Sequence, residues 1–464
     1  MNKRADLTPM MKPRSVAIIG ASRDPHKVGN VILQNYISAG FPGKLYPVNL
    51  NSDEVLGLKA YKSVLDIDDS VDLAVIAIPA PAVPGALEQC GKAKVKSAVV
   101  VSGGFAEIGE TGLQDKIAGI AKKYSIALVG PNCLGVMDMR SKVDTLFLPT
   151  KKLSKPKVGF VSFVSQSGAV GSTVLDVIAG EGIGLSKFIS YGNAAYIDET
   201  DILEYLMGDP ETKVIVLYIE GIKRGREFVE LARKLGRSKP VIVLKAGRTS
   251  AGMAAAQSHT ASLAGNYAVQ EAIFKQFGFI VANDLSELLY YAKIFASEMR
   301  PKGNRVGVIT NGGGAGVIAA DEIGSSKYLQ MADYSAATKK SLRKIMPALV
   351  NIKNPLDLAG DADSRRYMDA MNALGSDPEV DMLLVIILYQ TPGADPGVTR
   401  EVVQKKITLS KPLLVVSVGT EYTQRQAKLL EEGGVPVYDS PISAVSSLEA
   451  LFKYTEFKKR IATG

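Results

Sequence analysis

One histidine in a segment of small residues is the strongest candidate for covalent chemistry in this 464-residue chain. The chain has only two histidines, His26 and His259. His259 lies in Gly247–Gly265, where small and polar residues dominate, and we expect this segment to pack loosely and to move. Neutral imidazole is a nucleophile near neutral pH, and its phosphoramidate is labile enough to pass phosphate onward. The alternative is a loop histidine without chemistry.

A carboxylate at a predicted strand end is the second candidate. Glu220 follows the apolar run Val214–Tyr218. A carboxylate in such a place can hold an imidazole N–H, fix its tautomer and stabilise the charge that develops on the ring. The alternative is a strand-end carboxylate that faces water.

Two small-residue turns have the layout of anion sites. Each follows a predicted strand and opens a predicted helix, Ala169–Ala179 in one case and Val317–Ile323 in the other. Small residues let backbone N–H groups approach an anion, and a helix start carries about half a positive charge. Two such starts could hold one phosphate from both sides, although each could be a simple helix start. Neither turn matches the G-x-x-x-x-G-K-[ST] pattern of a P-loop. The residues concerned are Ser165, Gln166, Ser167, Gly168, Asn311, Gly312, Gly313 and Gly314.

The turn after the first predicted strand has the position of a dinucleotide-binding loop. Its G-x-G-x-x-G spacing fails, because Ser22 stands two residues after Gly20. The second strand ends at Asn49, where a nicotinamide enzyme would place an acidic residue for the ribose hydroxyl. These polar strand ends still predict a ligand crevice at the carboxyl edge of a sheet. The alternative is an ordinary strand–helix turn.

Composition limits the classes of function. The formal net charge of +8 is spread along the chain, which argues against a nucleic-acid arm and suits anionic small molecules. No apolar run reaches the roughly 20 residues that span a bilayer, and Met1–Pro13 lacks an export signal. Cys90 and Cys133 cannot form a disulfide framework or a four-ligand zinc site, so we expect no metal and a cytoplasmic protein. Cys133, as a lone cysteine after a strand, is more often a buried hydrophobe than a nucleophile.

Short apolar runs alternate with helical patterns along the whole chain. Buried strands separated by helices predict an α/β fold with parallel sheets that are covered on both faces. Two proline-containing breaks divide the pattern into domains at 1–148, 152–298 and 303–464. The predicted strands are Ser15–Ile19, Lys44–Val48, Leu73–Ile78, Ala98–Val101, Ala127–Val129, Val158–Val164, Leu185–Ser190, Val214–Tyr218, Val241–Lys245, Phe279–Val281, Val306–Thr310, Met382–Tyr389 and Leu413–Val418.

A set of motifs in fixed order resembles one family over essentially the whole chain. The motifs are Ala77-Ile-Pro-Ala-Pro81, Gly130-Pro-Asn-Cys133, Val164-Ser-Gln-Ser-Gly168, Ile219-Glu-Gly221, Gln257-Ser-His-Thr260, Asn311-Gly-Gly-Gly314 and Asn354-Pro-Leu-Asp-Leu358. Together they resemble the succinyl-CoA synthetase superfamily of NDP-forming acyl-CoA synthetases, and within it the α subunits of ADP-forming acetyl-CoA synthetases. The resemblance implies a CoA-binding Rossmann-like domain followed by two flavodoxin-like parallel-sheet domains.

The resemblance also implies roles for individual residues. His259 would be phosphorylated, Glu220 would stabilise the phosphohistidine, and the two helix starts would bind phosphate. ADP or ATP with Mg would bind an ATP-grasp β subunit, in an assembly that we expect to be α2β2, as in the archaeal two-subunit enzymes. The residues that would line the CoA site are Gly20, Ala21, Ser22, Asn49, Ile78, Pro79, Ser102 and Gly103.

One departure and two other functions qualify this interpretation. The histidine stands in Ser-His-Thr-Ala, whereas succinyl-CoA synthetases carry Gly-His-Ala-Gly, which favours the acetyl-type branch and leaves the acyl group open. A non-catalytic CoA sensor, or the CoA-binding part of a protein acyltransferase, is one alternative, although no acetyltransferase module fits the length. A nicotinamide oxidoreductase is the other, and Ser22 and Asn49 disfavour it.

Overall fold

The computed structural model describes residues 6–260, 266–297 and 299–463, with the side chains of residues 256–260 outside that description. The chain forms two compact units, Met1–Asn283 and Asp284–Gly464. The first unit contains two large sheets and the second contains one. Among the described residues, no helix combines the length and the apolar character needed to cross a membrane.

The first sheet is built from parallel strands in the order β2-β1-β5-β6-β7. Four of its strands, β1, β5, β6 and β7, are short buried runs, so both faces of this part of the sheet are covered, whereas the edge strand β2 is partly exposed. The elements of this part are α1 (Thr8–Met11), β1 (Ser15–Ile19), α2 (Val28–Ala39), β2 (Lys44–Val48), β3 (Glu54–Val55), β4 (Leu58–Lys59), β5 (Leu73–Ile76), α3 (Val83–Lys92), β6 (Ser97–Val100), α4 (Thr111–Tyr124) and β7 (Ala127–Val129), with 3-10 turns at Val64–Asp66, Ala80–Ala82 and Ala106–Ile108.

The second sheet has the order β14-β13-β12-β10-β11-β8-β9, in which the first five are parallel and β8 and β9 are antiparallel additions. The boundary predicted at residue 148 therefore lies after a hairpin that belongs to the second sheet. The elements are β8 (Gly135–Asp138), β9 (Val143–Asp144), β10 (Val158–Ser165), α5 (Gly168–Gly180), β11 (Leu185–Ser190), α6 (Glu199–Gly208), β12 (Val214–Ile219), α7 (Gly225–Ser238), β13 (Val241–Lys245), α8 (Ser250–Thr260), α9 (Tyr267–Gln276) and β14 (Ile280–Val281).

The second unit repeats the same architecture around its own core. Its parallel sheet has the order β16-β15-β18-β19-β20, and β17 also pairs with β15. The elements are α10 (Leu285–Ala296), β15 (Arg305–Thr310), α11 (Gly313–Ser325), β16 (Gln330–Met331), α12 (Ala336–Ile345), β17 (Leu356–Asp357), α13 (Ser364–Ser376), β18 (Met382–Ile386), α14 (Pro396–Thr408), β19 (Leu413–Val416), α15 (Glu421–Glu432), β20 (Val437–Tyr438) and α16 (Pro441–Thr463). The predicted α/β fold with parallel sheets is confirmed.

Each sheet contains a point where the chain reverses its direction of winding. These points lie between β1 and β5, between β10 and β12, and between β15 and β18. In open parallel sheets, ligands bind in the crevice at the carboxyl ends of the strands that flank such a point. The fold therefore has three sheet edges at which ligand-binding residues are expected to lie.

Candidate functional site

The first edge holds the residues predicted to bind CoA. Gly20 follows β1 with φ of 94°, and an added Cβ would lie 2.4 Å from the carbonyl oxygen of Ala77 and 2.8 Å from Cγ2 of Ile78. Only glycine fits a backbone that is both left-handed and this close to the next strand end. Gly20 is therefore required by the close approach of the turns that follow β1 and β5.

Hydrogen bonds tie the other predicted residues of this edge together in pairs. The side-chain amide of Asn49 donates to the carbonyl oxygen of Ala21 at 2.6 Å. The hydroxyl of Ser102 donates to the carbonyl oxygen of Ile78, also at 2.6 Å. Ser22, Pro79 and Gly103 lie in the same three turns. The structure therefore brings all eight predicted residues to one sheet edge.

A glutamate that the sequence analysis missed also lies at this edge. The carboxylate of Glu107 accepts from the backbone N–H groups of Gly104 and Phe105 and from the side-chain amide of Asn193. Burial favours a higher pKa for Glu107, but these hydrogen bonds outweigh burial and lower it. Asn193 follows β11, so the contact joins the first sheet's edge to the second sheet. Nothing in the local sequence signals this contact, because the partners are far apart in the chain.

The second edge brings Gln166 and Glu220 together. The side-chain oxygen of Gln166 accepts the backbone N–H of Glu220 at 2.8 Å and that of Gly221 at 3.2 Å. The hydroxyl of Ser165 donates to the carbonyl oxygen of Ser167 at 2.7 Å, and the hydroxyl of Ser167 caps α5. The side-chain oxygens of Gln166, Ser165 and Ser167 are thus already used in hydrogen bonds within the fold. An anion at this turn would therefore contact the backbone N–H groups at the start of α5.

The third edge repeats this construction within the second unit. The side-chain oxygen of Asn311 accepts the backbone N–H of Leu388 at 2.8 Å, and the hydroxyl of Thr310 donates to the carbonyl oxygen of Gly312 at 3.0 Å. An added Cβ on Gly313 would lie 2.9 Å from a carboxylate oxygen of Asp357, so a negative charge already stands beside the start of α11.

The register of the paired strands shows which residue of the second unit is equivalent to a given residue of the first. Ser165 pairs with Tyr218 as Thr310 pairs with Ile386, so Glu220 and Leu388 occupy equivalent positions. The two units therefore share this strand-end arrangement, but the equivalent position is glutamate in the first unit and leucine in the second. This carboxylate is not a requirement of the fold, which favours a role for Glu220 in chemistry.

The surroundings of Glu220 are buried. The residue is 5% exposed, and the phenol of Tyr218 lies 3.4 Å from its carboxylate. Burial, and to a lesser degree the charge of Glu220, raises the pKa of Tyr218 to about 12, so this phenol stays protonated. The ammonium of Lys245 donates to the main-chain carbonyl of Glu220 at 2.7 Å. Sequence reasoning missed Lys245, although a lysine that closes the apolar run Val241–Lys245 is an available signal.

His259 lies in α8, near its C-terminal end, and its side chain is outside the described residues. The small and polar residues here predict a loosely packed segment, and residues 250–260 of that segment form a helix. This helix contacts the turn Ala106–Ile108, which contains Glu107, at the carboxyl edge of the first sheet. The helix that carries His259 is therefore adjacent to the predicted CoA edge.

Cys133 has the environment of a structural residue. Its side chain is 3% exposed, and its thiol donates to the carbonyl oxygen of Val100 at 3.3 Å. Burial raises its pKa to about 12, which removes the thiolate needed for nucleophilic attack at neutral pH. The interpretation of Cys133 as a small buried hydrophobe is the one that the geometry supports.

Two family models and several known proteins match the chain. Residues 14–139 match the family model described as a CoA binding domain, and residues 158–295 match the succinyl-CoA ligase like flavodoxin domain. The chain is 41% identical over 447 residues to acetate–CoA ligase [ADP-forming] II subunit alpha of Pyrococcus furiosus, covering 95% of this chain and 96% of that protein. It is 43% identical over 450 residues to acetate–CoA ligase [ADP-forming] of Methanocaldococcus jannaschii, covering 96% of this chain and 63% of that longer protein.

A solved structure shows the same likeness in three dimensions. It is the dinucleotide forming acetyl-coenzyme A synthetase 1 of Ca. Korarchaeum cryptofilum in complex with phosphate and ADP. The TM-score is 0.93 at 36% sequence identity, and the match covers 99% of this chain and 98% of that one.

Proposed function

The chain belongs to the family of ADP-forming acetate–CoA ligase α subunits, and we propose that it is the CoA- and phosphate-binding catalytic subunit of an ADP-forming acyl-CoA synthetase. The enzyme would convert acyl-CoA, ADP and phosphate reversibly into carboxylic acid, ATP and CoA. The resemblance found in the motifs is confirmed by relatives that match nearly the full chain. The Ser-His-Thr-Ala context of the histidine keeps an acetyl-type substrate first among the candidates.

The reaction divides into three transfers. A phosphate oxygen attacks the thioester carbonyl, the carbon–sulfur bond breaks, and CoA leaves as its thiolate to give an acyl phosphate. An imidazole nitrogen of His259 then attacks phosphorus, and the carboxylate leaves as the P–O bond to the acyl group breaks. The phosphoryl group finally passes from His259 to ADP. Each step forms one bond as another breaks, so the free-energy cost is divided among smaller barriers.

The residues of the first two edges have complementary roles in this scheme. The bare backbone at Gly20 and the turn at Ser102 would receive CoA. The backbone N–H groups at the start of α5 would bind phosphate. The start of α11, at the third edge, is a separate candidate anion site of the second unit. Glu220 would accept the N–H of His259 and balance the positive charge of the phosphorylated ring. The observation that carries the proposal is the contact of the His259-bearing helix α8 with the turn Ala106–Ile108 at the CoA edge.

We infer that the nucleotide binds on a partner. The Pyrococcus furiosus relative is named a subunit alpha, which implies a partner subunit for that protein. We propose an ATP-grasp β subunit that holds ADP and Mg, in an α2β2 assembly. His259 would then have to reach two places, the acyl phosphate and the nucleotide, and a displacement of α8 is the simplest way to connect them.

Two other functions are less well supported. A non-catalytic CoA sensor, or the CoA-binding part of a protein acyltransferase, would need the first edge but not the buried carboxylate Glu220. A nicotinamide oxidoreductase would need an acidic residue where Asn49 donates to the carbonyl oxygen of Ala21. In calorimetry we expect CoA to bind and NAD not to bind, which excludes the oxidoreductase. Phosphorylation of His259 then excludes the sensor.

The test of the proposal is transfer of radioactive phosphate to the protein in the presence of acetyl-CoA. We expect acid-labile label on the wild-type chain, purified with its partner subunit, and on His26→Asn, whose histidine lies in an exposed turn. His259→Asn removes the nucleophile and should abolish the label. Acid-labile label that persists on His259→Asn would reject the assignment. Acid release from several acyl-CoAs with ADP would then identify the acyl group.

A further inference from the structure

A buried lysine contacts the main chain of Glu220, the residue proposed to serve phosphohistidine. Lys245 is the last residue of β13 and is 1% exposed. Its ammonium donates to the carbonyl oxygen of Glu220 at 2.7 Å and also to the carbonyl oxygen of Ala246. The Lys245 ammonium therefore links Glu220, which follows β12, to the segment that leads from β13 to α8.

The Glu220 peptide is held from two sides. Gln166 accepts its N–H at 2.8 Å, and Lys245 donates to its carbonyl oxygen at 2.7 Å. With both main-chain groups occupied by side chains of neighbouring strands, the Cα–Cβ direction of Glu220 is fixed. A carboxylate that must meet an imidazole N–H at hydrogen-bond distance benefits from such fixing, because a misplacement of about 1 Å can cost about a hundredfold in rate.

Burying the Lys245 ammonium costs free energy, and the fold does not require a cation at this position. Taking a charge out of water costs several kcal/mol per ion even after relaxation. Burial accordingly lowers the pKa of Lys245, and the negative charge of Glu220 opposes that effect. Leu244 pairs with Tyr218 as Val416 pairs with Ile386, so the equivalent of Lys245 in the second unit is Ser417.

Ser417 occupies the position equivalent to Lys245 and carries no charge. It is buried, and its hydroxyl donates to the carbonyl oxygen of Ile387 at 2.8 Å. Lys245 and Glu220 thus occur together in the first unit. In the second unit, serine stands at the position of the lysine and leucine at the position of the glutamate. This pairing points to a joint role of the charged residues.

We propose that Lys245 is a positioning residue for phosphoryl transfer, which holds the Glu220 main chain and balances the Glu220 charge so that the carboxylate faces the histidine. The inference rests on the proposed function, since it assumes that Glu220 serves phospho-His259. Lys245 itself touches neither substrate nor the reacting atoms in this assignment.

The test compares Lys245 with a lysine of matched chemistry at the other end of the same strand. Lys239 precedes β13, and its ammonium also donates to two main-chain carbonyls, those of Leu206 and Asp209. Lys245→Ser copies the second unit, and Lys245→Met keeps the side-chain length if the serine variant does not accumulate. Lys239→Met is the control. Each variant is purified with its partner subunit, and kcat, the KM for CoA, and the lifetime of the phosphorylated protein are measured.

We expect both Lys245 variants to lower kcat about tenfold or more and to shorten the phosphoenzyme lifetime, with the KM for CoA within about twofold of wild type. Lys239→Met should lower thermal stability but leave kcat and lifetime unchanged. Equal kcat and lifetime in the Lys245 and Lys239 variants would overturn the inference and leave a merely structural lysine. A wild-type protein that takes up no phosphate would instead reject the proposed function, so the two failures are distinct.

Discussion

The side-chain amide of Asn193 donates to the carboxylate of Glu107, although 86 residues separate them in the chain. Asn193 is itself anchored, because the ammonium of Lys223 donates to its carbonyl oxygen at 2.7 Å. The carboxylate of Glu107 also accepts from Gly104 and Phe105, next to the predicted CoA residue Gly103. This contact therefore fixes the CoA-side turn against the sheet that carries Glu220.

Glu107→Ala should weaken CoA binding more than it slows chemistry. The substitution removes the acceptor of the Gly104 and Phe105 backbone N–H groups, whereas the Asn193 amide keeps its hydrogen bond to Gln114 at 3.0 Å. A buried group left unsatisfied costs about 1–3 kcal/mol. We expect the KM for CoA to rise about tenfold with kcat changed less than threefold. Glu110→Ala, an exposed position in the same segment, should leave both constants unchanged. An unchanged KM for CoA in Glu107→Ala would remove the turn from the CoA site.

Substitution of Glu220 should separate folding from phosphoryl transfer. Leu388 occupies the equivalent position in the second unit, so Glu220→Leu should fold, and Glu220→Gln keeps the shape without the charge. A hydrogen bond to a charged group contributes about 1.5–3 kcal/mol, so we expect the phosphohistidine lifetime to fall about tenfold or more in both variants.

The control for these variants is Glu230→Gln, an exposed glutamate on α7. Its phosphohistidine should decay at the wild-type rate when labelled protein is chased with unlabelled phosphate. If the Glu220 variants also decay at that rate, the carboxylate does not contact the phosphorylated ring.

Sequence reasoning predicted the strands well where apolar runs are continuous. Ser15–Ile19, Lys44–Val48, Ala127–Val129, Leu185–Ser190 and Val241–Lys245 have the predicted bounds. In Ser15–Ile19, Ala127–Val129 and Val241–Lys245 the reason is that buried parallel strands leave a near-continuous apolar signal. The antiparallel hairpin of β8 and β9 was missed. Its strands are short, and β8, which also pairs with β9, joins the sheet by pairing with β11, which is distant in sequence.

The candidate site was predictable in its edges but not in its contacts. Ligand residues at carboxyl strand ends follow from the parallel fold, which is why Gly20, Glu220 and Asn311 were found. The roles of Gln166 and Lys245 depend on strand register, which places residues 54 and 25 positions from Glu220 beside it. Residue types alone carry no information about such pairings.

Gly20 should be intolerant of any side chain. Gly20→Ala combines a positive φ of 94° with a Cβ that would lie 2.4 Å from the carbonyl oxygen of Ala77. Gly57→Ala is the matched control, because Gly57 has φ of 79° and nothing within 4 Å of its added Cβ. The left-handed strain is common to both and costs of order 1–3 kcal/mol.

Only Gly20→Ala adds the clash at the CoA edge. We expect both variants to lose thermal stability, and we expect Gly20→Ala alone to lose CoA binding by more than about tenfold in calorimetry. Equal CoA affinities in the two variants would show that CoA does not depend on this close approach of β1 and β5.

Glu199 should make the protein less stable as the pH rises. It is 1% exposed at the start of α6, and burial, followed by the charge of Asp198, raises its pKa. A carboxyl group whose pKa is higher in the folded state binds more protons there, so folding is favoured at low pH and loses stability as pH rises above the unfolded value of about 4.3. Glu199→Gln removes this titration and keeps an acceptor for the backbone N–H of Lys223, which now donates at 2.9 Å.

The melting temperature of Glu199→Gln should therefore exceed that of the wild type at pH 8, and the difference should shrink toward pH 5. Glu204→Gln, at a half-buried position of the same helix, is the control for the loss of a carboxyl group from α6. A melting temperature of Glu199→Gln below that of wild type at pH 8 would mean that ionised Glu199 stabilises the fold, through the cations near it, by more than burial costs. The sign of the difference thus decides whether desolvation or pairing controls this carboxylate.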